Sequence, residues 1–486
     1  MYIYESIAQE YIALISKGQI RPGDRLPSVR RLAQQRKLSA STVIQALQVL
    51  ESQGLVEARP QSGYYVKARS ALPLEAEHST EVPMAVEVGI THRMLEILRA
   101  NGSPKLIPFG AASPAPELLP VTRLGRLYAG LARKHAHLLA GYSDGSHSEE
   151  TFAKAIARRS VEWGYPVAAN EIIATNSCIE ALKLSLLTVT NPGDTVAVES
   201  PTYYVMLQML ESMGLKALEI PTHPQTGVSL DALEAVTREG GIAACILIPN
   251  GNNPLGCIIP DQQKMAIAHL LSSRNVALIE DDIYGDVCFT AERPRPIHAF
   301  DKSGNTILCS SFSKTVSPTL RVGFVAAGRR FSEVALQKAL SSGRTNPLTQ
   351  RVLAELLESR GFDAHLRTLR RRLGEQVART RDAIARHFPY ETRITDPMGG
   401  FVLWVALPED VDAMLLHPSA IAAGITFVPG EMFSASGRYK NYMRLACGLP
   451  WNERIDDAVK RLGKLVTGVA GNETGRAAYR ASTMLQ

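Results

Sequence analysis

Hydrophobic residues in the opening segment recur with the period of a helix, then switch to the period of a strand. Ile3, Ile7, Tyr11 and Leu14 predict a first amphipathic helix, closed by Gly18 and the turn Arg21-Pro22-Gly23-Asp24. Pro27-Ser28 is a start signal for a second helix whose inner stripe is Val29, Leu32 and Ala33. After a break at Arg36-Lys37-Leu38, Ser39 or Ser41 can cap a third helix, with Val43, Ala46, Leu47 and Leu50 inside. Leu55-Val56-Glu57-Ala58-Arg59 and Tyr64-Tyr65-Val66, around Pro60-Gln61-Ser62-Gly63, read as a hairpin. Residues 1–67 are therefore expected to form a winged helix-turn-helix, although a helical protein-interaction module gives much the same apolar pattern.

Residues 68–104 show no sustained period and read as a linker, with a short helix expected at Thr91 to Ala100. From Leu106 onward short β-rich runs alternate with amphipathic helices, which argues an α/β domain over residues 105–470, followed by a tail at 471–486. The strand candidates are Ile172 to Thr175, Thr195 to Val198, Ala244 to Ile248, Val276 to Ile279 and Thr306 to Cys309. After them, in order, stand Asn176-Ser177-Cys178, Pro201-Thr202-Tyr203, Asn250 to Asn253, Asp281 with Tyr284, and Ser311 to Lys314. Ligands bind beyond the carboxyl ends of strands in open parallel sheets, so these five clusters are expected to converge on one crevice. The chain is thus multidomain, a winged helix in front of an α/β body.

Charge sharpens the reading of the front. The net charge is +6, and residues 1–70 alone hold +5, which suggests a nucleic-acid partner for that segment. The polar tip of the third helix, Ser39, Ser41 and Thr42, with Arg30 and Arg31 beside it and Arg59 on the wing, are the candidate contacts to double-stranded DNA. Arg367, Arg370, Arg371 and Arg372 lie at helical spacing in an amphipathic segment and read as a solvated face. Six cysteines show no metal-site or redox spacing, so no metal is expected and they read as buried thiols. No apolar run reaches about 18 residues and no secretory signal opens the chain, so a cytoplasmic protein without a membrane partner is expected.

The body carries one concentrated piece of chemistry. Lys314 follows an apolar strand, with Ser311 and Ser313 before it and Arg321 after it in a Pro-punctuated loop. Two hydroxyls and a guanidinium can hold a dianionic phosphate beside an amine that forms a Schiff base. The segment Thr175-Asn176-Ser177-Cys178 is strand, tight turn and helix start, so its backbone N–H groups and helix dipole can take a phosphate.

Leu26-Pro27-Ser28-Val29-Arg30-Arg31-Leu32-Ala33, Ser41-Thr42-Val43 and Leu50 to Val56 resemble the DNA-binding domain of the GntR family, although many relatives carry arginine where this chain has Ala40 and Ile44. The stretch around Lys314 resembles the cofactor-lysine motif of fold-type-I aminotransferases, which carry pyridoxal 5'-phosphate. That resemblance places Tyr203 on the pyridine face, Asn253 and Tyr284 at the phenolic oxygen, and Asp281 at the ring nitrogen. It makes Ser311, Ser313 and Arg321 phosphate ligands and sends Tyr142 to the phosphate of a neighbouring subunit, which implies a homodimer. Relatives usually carry glycine at the position of Ser177. Arg444 matches the arginine that grips an α-carboxylate. The fusion resembles the MocR group of bacterial transcriptional regulators, implying a cofactor-dependent regulator that senses an amino compound. A working aminotransferase of an amino acid or related amine is the alternative, because a sensor needs the same groups as an enzyme.

Overall fold

In the computed structural model, residues 3–470 are described apart from 17–18, 21–22, 53–54, 60–61, 68–71, 75–83, 88–90 and 141–144. The front helices span Ile3–Ser16, Val29–Arg36 and Ala40–Ser52, and the hairpin pairs Val56–Arg59 with Gly63–Val66. Their apolar stripes meet: Ile7, Tyr11, Leu32, Val43, Leu47, Leu50, Val56 and Val66 are all buried in one core. Ser28 caps the second helix by accepting from Arg31 N–H, and Lys37 ends it in the left-handed region at φ 53°. Of the two candidate caps for the third helix, Ser39 takes the role, its Oγ accepting from Thr42 N–H at 3.2 Å.

The linker differs from the structureless tether that its sequence suggests. Leu72–Pro73 pairs parallel with Arg393–Ile394, and Leu74 N–H donates to the Ile394 carbonyl at 3.1 Å. Ala85–Glu87 pairs antiparallel with Lys216–His223 at an edge of the large sheet. Strands this short show no alternation, and edge pairing runs through backbone groups, so side-chain pattern carries no trace of it. The expected helix is present at Thr91–Asn101.

The large sheet runs, in spatial order, Ala85–Glu87, Lys216–His223, Thr195–Ser200, Ile242–Leu247, Ala277–Asp281, Thr306–Ser311, Gly323–Ala326 and Ile172–Thr175. Lys216–His223 through Thr306–Ser311 are mutually parallel, and Gly323–Ala326 runs antiparallel to both of its neighbours. Alternation sorts the faces: Val196, Val198, Ile246 and Ile279 pack on one side, Ala197, Cys245, Leu247 and Leu278 on the other. Two strands had no sequence signal of their own. Lys216–His223 is interrupted by Glu219 and Pro221, and Gly323–Ala326 is four residues of a glycine-led run.

A smaller sheet takes up Val428–Pro429, Tyr442–Ala446, Val402–Ala406, Arg393–Ile394 and Leu72–Pro73 in that order. It packs with the Phe362–His387 and Glu453–Ala470 helices against the large sheet's core. On the former helix Arg371 pairs with Glu375, while Arg370 turns inward and donates to the Asp286 carbonyl at 2.8 Å, so the basic face is solvated except there. All six cysteines are buried free thiols. No helix of the described residues is long and apolar enough to cross a membrane.

Candidate functional site

The strand order brings the five clusters to one end of the large sheet. Asp281 is the last residue of its strand rather than the first of the loop, and it is 3% exposed. Its Oδ1 accepts from Cys178 Sγ at 3.2 Å and from Ile283 N–H at 3.1 Å. Burial raises its pKa to about 6, against the pull of those two hydrogen bonds and of the Lys314 ammonium. Lys314 reaches across to donate from Nζ to the Ala112 carbonyl, with the nitrogen 5.8 Å from the Tyr284 ring centre. Burial and the nearby Arg444 guanidinium lower its pKa to about 8, so a substantial fraction of the amine is neutral near physiological pH.

Tyr284 is buried, its ring edge-on to Phe401 at 5.9 Å, and its phenol is pushed up by burial. Asn253 hydrogen-bonds that phenol, and its own Oδ1 is buried with no partner among the described residues. Tyr203 stands at the start of the Tyr204–Ser212 helix, edge-on to Tyr204 at 5.0 Å. Ser311 Oγ and Ser313 Oγ lie 2.9 Å apart. Arg321 is exposed and sits at φ 53°, in the left-handed region.

At the phosphate cradle the structure sorts the three candidates. Ser177 has extended backbone at φ 179°, and its Oγ caps the Cys178–Val189 helix by accepting from Glu180 N–H at 3.2 Å. Serine in place of glycine is thereby accommodated and useful. The first N–H groups of that helix, at Cys178 and beyond, have no intrahelical acceptor by geometry. Asn176 faces elsewhere: its N–H and its side-chain amide both donate to Glu180, which also accepts from Lys338 and Ser342. Close packing below the turn requires Gly323, where a Cβ would lie 2.7 Å from the Ser310 carbonyl oxygen and 2.8 Å from the Ser177 carbonyl carbon. Tyr142 lies outside the described residues.

Arg444, on strand Tyr442–Ala446, is fully buried. One of its terminal nitrogens donates to the Gly110 carbonyl at 2.7 Å, while Nε and Nη1 have no acceptor among the described residues. No carboxylate of those residues forms an ion pair with it. A buried guanidinium with two open donors is costly unless a ligand anion completes it.

Sequence reasoning used Cys178 only for its backbone and did not foresee the thiol against Asp281. It also missed the Glu180 knot and the carbonyls of Gly110 and Ala112. The run Gly110-Ala111-Ala112-Ser113, small residues only, was the available sign that backbone approaches a ligand there.

On the front domain Arg30 and Arg31 are exposed and have no ion-pair partner among the described residues. Ser41 is exposed and Thr42 half-buried, both hydroxyls within 2.8 Å of Ser39 Oγ. Arg59 is already engaged, pairing with Glu57 at 2.7 Å and lying 4.4 Å over the Tyr65 ring.

Known proteins bear on both halves. The family described as bacterial regulatory proteins, gntR family, matches residues 3–66, and aminotransferase class I and II matches residues 131–462. The uncharacterized HTH-type transcriptional regulators YjiR and YdcR of Escherichia coli (strain K12) are 38% and 39% identical over 463 residues, each match covering 95% of this chain and 98% of the relative. Among solved structures, LysN, the alpha-aminoadipate aminotransferase of Thermus thermophilus, complexed with N-(5'-phosphopyridoxyl)-L-leucine, superposes with TM-score 0.70 at 28% identity over 78% of this chain and 95% of its own.

Pyridoxal 5'-phosphate is the cofactor of this class, and the donor set fits it: a partly neutral lysine, a buried carboxylate with a free oxygen, an unpartnered Asn253 Oδ1 and a helix N-terminus lie at the same end of the large sheet. The chain belongs to the aminotransferase class I and II family and carries a GntR-family helix-turn-helix at its front, the architecture of the MocR group of transcriptional regulators.

Proposed function

We propose that this chain is a homodimeric, pyridoxal 5'-phosphate-dependent transcriptional regulator that senses an amine bearing a carboxylate. The buried Arg444 with two open donors carries that reading, because an anion of planar, two-oxygen shape completes both donors at once. When bound, the cofactor supplies an aldehyde that condenses with amines and a ring that takes up negative charge.

The chain's residues then divide the work. Lys314 would present a partly neutral amine to the cofactor aldehyde, and in the free protein its Nζ is held by the Ala112 carbonyl. Asp281 would offer its free oxygen to the ring nitrogen, Tyr203 would cover the ring face, and Tyr284 with Asn253 would hold the phenolic oxygen. Ser177 and Cys178 backbone, Ser311, Ser313 and Arg321 would hold the phosphate, while Asn176 supports the turn through Glu180. Arg30 and Arg31, with Ser41 and Thr42, face the DNA. Arg59 shapes the wing.

A winged helix with a concentrated positive charge has no part in amino-group transfer, which favours regulator over enzyme. The test has two arms. Protein incubated with pyridoxal 5'-phosphate should turn yellow, and borohydride followed by peptide mapping should place the label on Lys314. Amino acids titrated with and without operator DNA should then bind with unequal affinity, and DNA affinity should change by the same factor, typically about five- to 150-fold. Equal affinities in both directions together with rapid transfer to a keto acid would overturn the regulator reading.

A further inference from the structure

The carboxylate of Asp281 is divided between two tasks. Oδ1 holds both hydrogen bonds, from the Cys178 thiol at 3.2 Å and the Ile283 N–H at 3.1 Å, and Oδ2 accepts none from the described residues. Cys178 is 3% exposed and is the first residue of its helix, so the Ser177 cap and the helix behind it fix where the sulfur lies. A carboxylate can only accept, and burial beside the Asp281 charge pushes the thiol well above its ordinary range, so the proton stays on sulfur. The other charged and titratable groups that act on Asp281 are Asp282, Glu199, Lys314, Tyr203, Tyr284 and Cys309, and Arg444 acts on its neighbours Lys314 and Tyr284. None of them hydrogen-bonds its carboxylate.

We propose that Cys178 is a positioning residue for the cofactor: its thiol occupies Oδ1, fixes the plane of the Asp281 carboxylate and turns Oδ2 to the pyridine nitrogen. This rests on the cofactor reading above. A thiol suits the task because S–H is a weak donor. It orients the carboxylate without drawing off the basicity that keeps the ring nitrogen protonated. A single backbone donor from Ile283 leaves the carboxyl plane free to rotate, since that bond constrains one direction only.

The experiment compares wild type with Cys178→Val, which is somewhat larger and removes the donor, and Cys178→Ser, which keeps a donor. Cys178→Ala serves as a smaller donor-free variant should valine crowd the helix start. Each is titrated with pyridoxal 5'-phosphate, and the visible spectrum of the bound form is followed from pH 5 to 9. The donor-free variants should bind the cofactor about ten-fold more weakly, the scale of one hydrogen bond to a charged group, with an altered pH dependence of the spectrum. Cys178→Ser should return both toward wild type. Donor-free variants indistinguishable from wild type, or a serine variant no better than alanine, would overturn the assignment. Wild type that takes up no cofactor overturns the cofactor reading itself and this inference with it.

Discussion

Replacing Arg444 with methionine separates ligand recognition from stability, because the guanidinium helps the one and harms the other. In the free protein this buried cation has a hydrogen bond to Gly110 and the Phe433 ring 5.8 Å away, and no ion pair among the described residues. Removing one partner of a completed buried ion pair costs about 3–5 kcal/mol, roughly two to three and a half decades in affinity. An amino acid should therefore bind Arg444→Met that much more weakly, whereas its decarboxylated amine, which never used the guanidinium, should bind within about three-fold of wild type. The unliganded protein should gain. Exchanging a desolvated charge for an apolar side chain of similar length is neutral to stabilising, and a gain of about 1 kcal/mol moves the midpoint of a large domain by roughly 2–4 °C. Spectroscopic titration with matched acid and amine pairs, alongside thermal unfolding of the unliganded forms, measures both. Equal loss for acid and amine, or a protein that melts well below wild type, refutes the assignment of those two open donors to a carboxylate.

Lys314 should take up the cofactor faster as pH rises through about 8, since its folded pKa lies below the ordinary lysine value and the neutral amine reacts. In stopped-flow measurements Arg444→Met should move that profile to higher pH by removing a repelling cation; an unmoved profile counts against their proximity. Asp281→Asn should retain the fold yet change the visible spectrum of bound cofactor, because the amide offers no negative charge to the ring nitrogen. Arg30→Ala or Arg31→Ala should each lower the slope of log affinity against log salt by about one unit, and Arg59→Ala by less because Glu57 already neutralises it. Leu74→Asp should weaken the effect of amino acid on DNA affinity while leaving cofactor uptake intact, since Leu74, just past the anchoring strand, packs against the apolar cluster of Trp404 and Tyr439.

The front domain was legible because each of its helices carries an apolar stripe and the second and third start at a cap residue, Ser28 and Ser39. The gathering of the polar clusters at one end of the large sheet was legible because buried parallel strands read as short apolar runs and their ends carry those clusters. What failed to show was contact chemistry between distant segments. The thiol of Cys178 meets Asp281 across 103 positions of sequence, and nothing in either neighbourhood points to the other. Asn176 is a candidate cofactor ligand by position, and nothing in its sequence neighbourhood shows that Glu180, one helical turn on, accepts from both of its donors. Backbone-only pairing hid the two linker strands for the same reason that it hides every very short edge strand.

Anchoring Leu72 to the smaller sheet shortens the leash on the head. Between Lys67, at the end of the wing, and Leu72 the chain has five residue steps, and extended backbone spans at most about 3.6 Å per residue, so the wing's last residue stays within roughly 18 Å of the anchor. A slack linker of several dozen residues would let two heads adopt many separations. In the proposed homodimer two short leashes would make the body a ruler: the distance between the two Leu72 anchors, rather than linker slack, would set how far apart the recognised half-sites lie on the duplex.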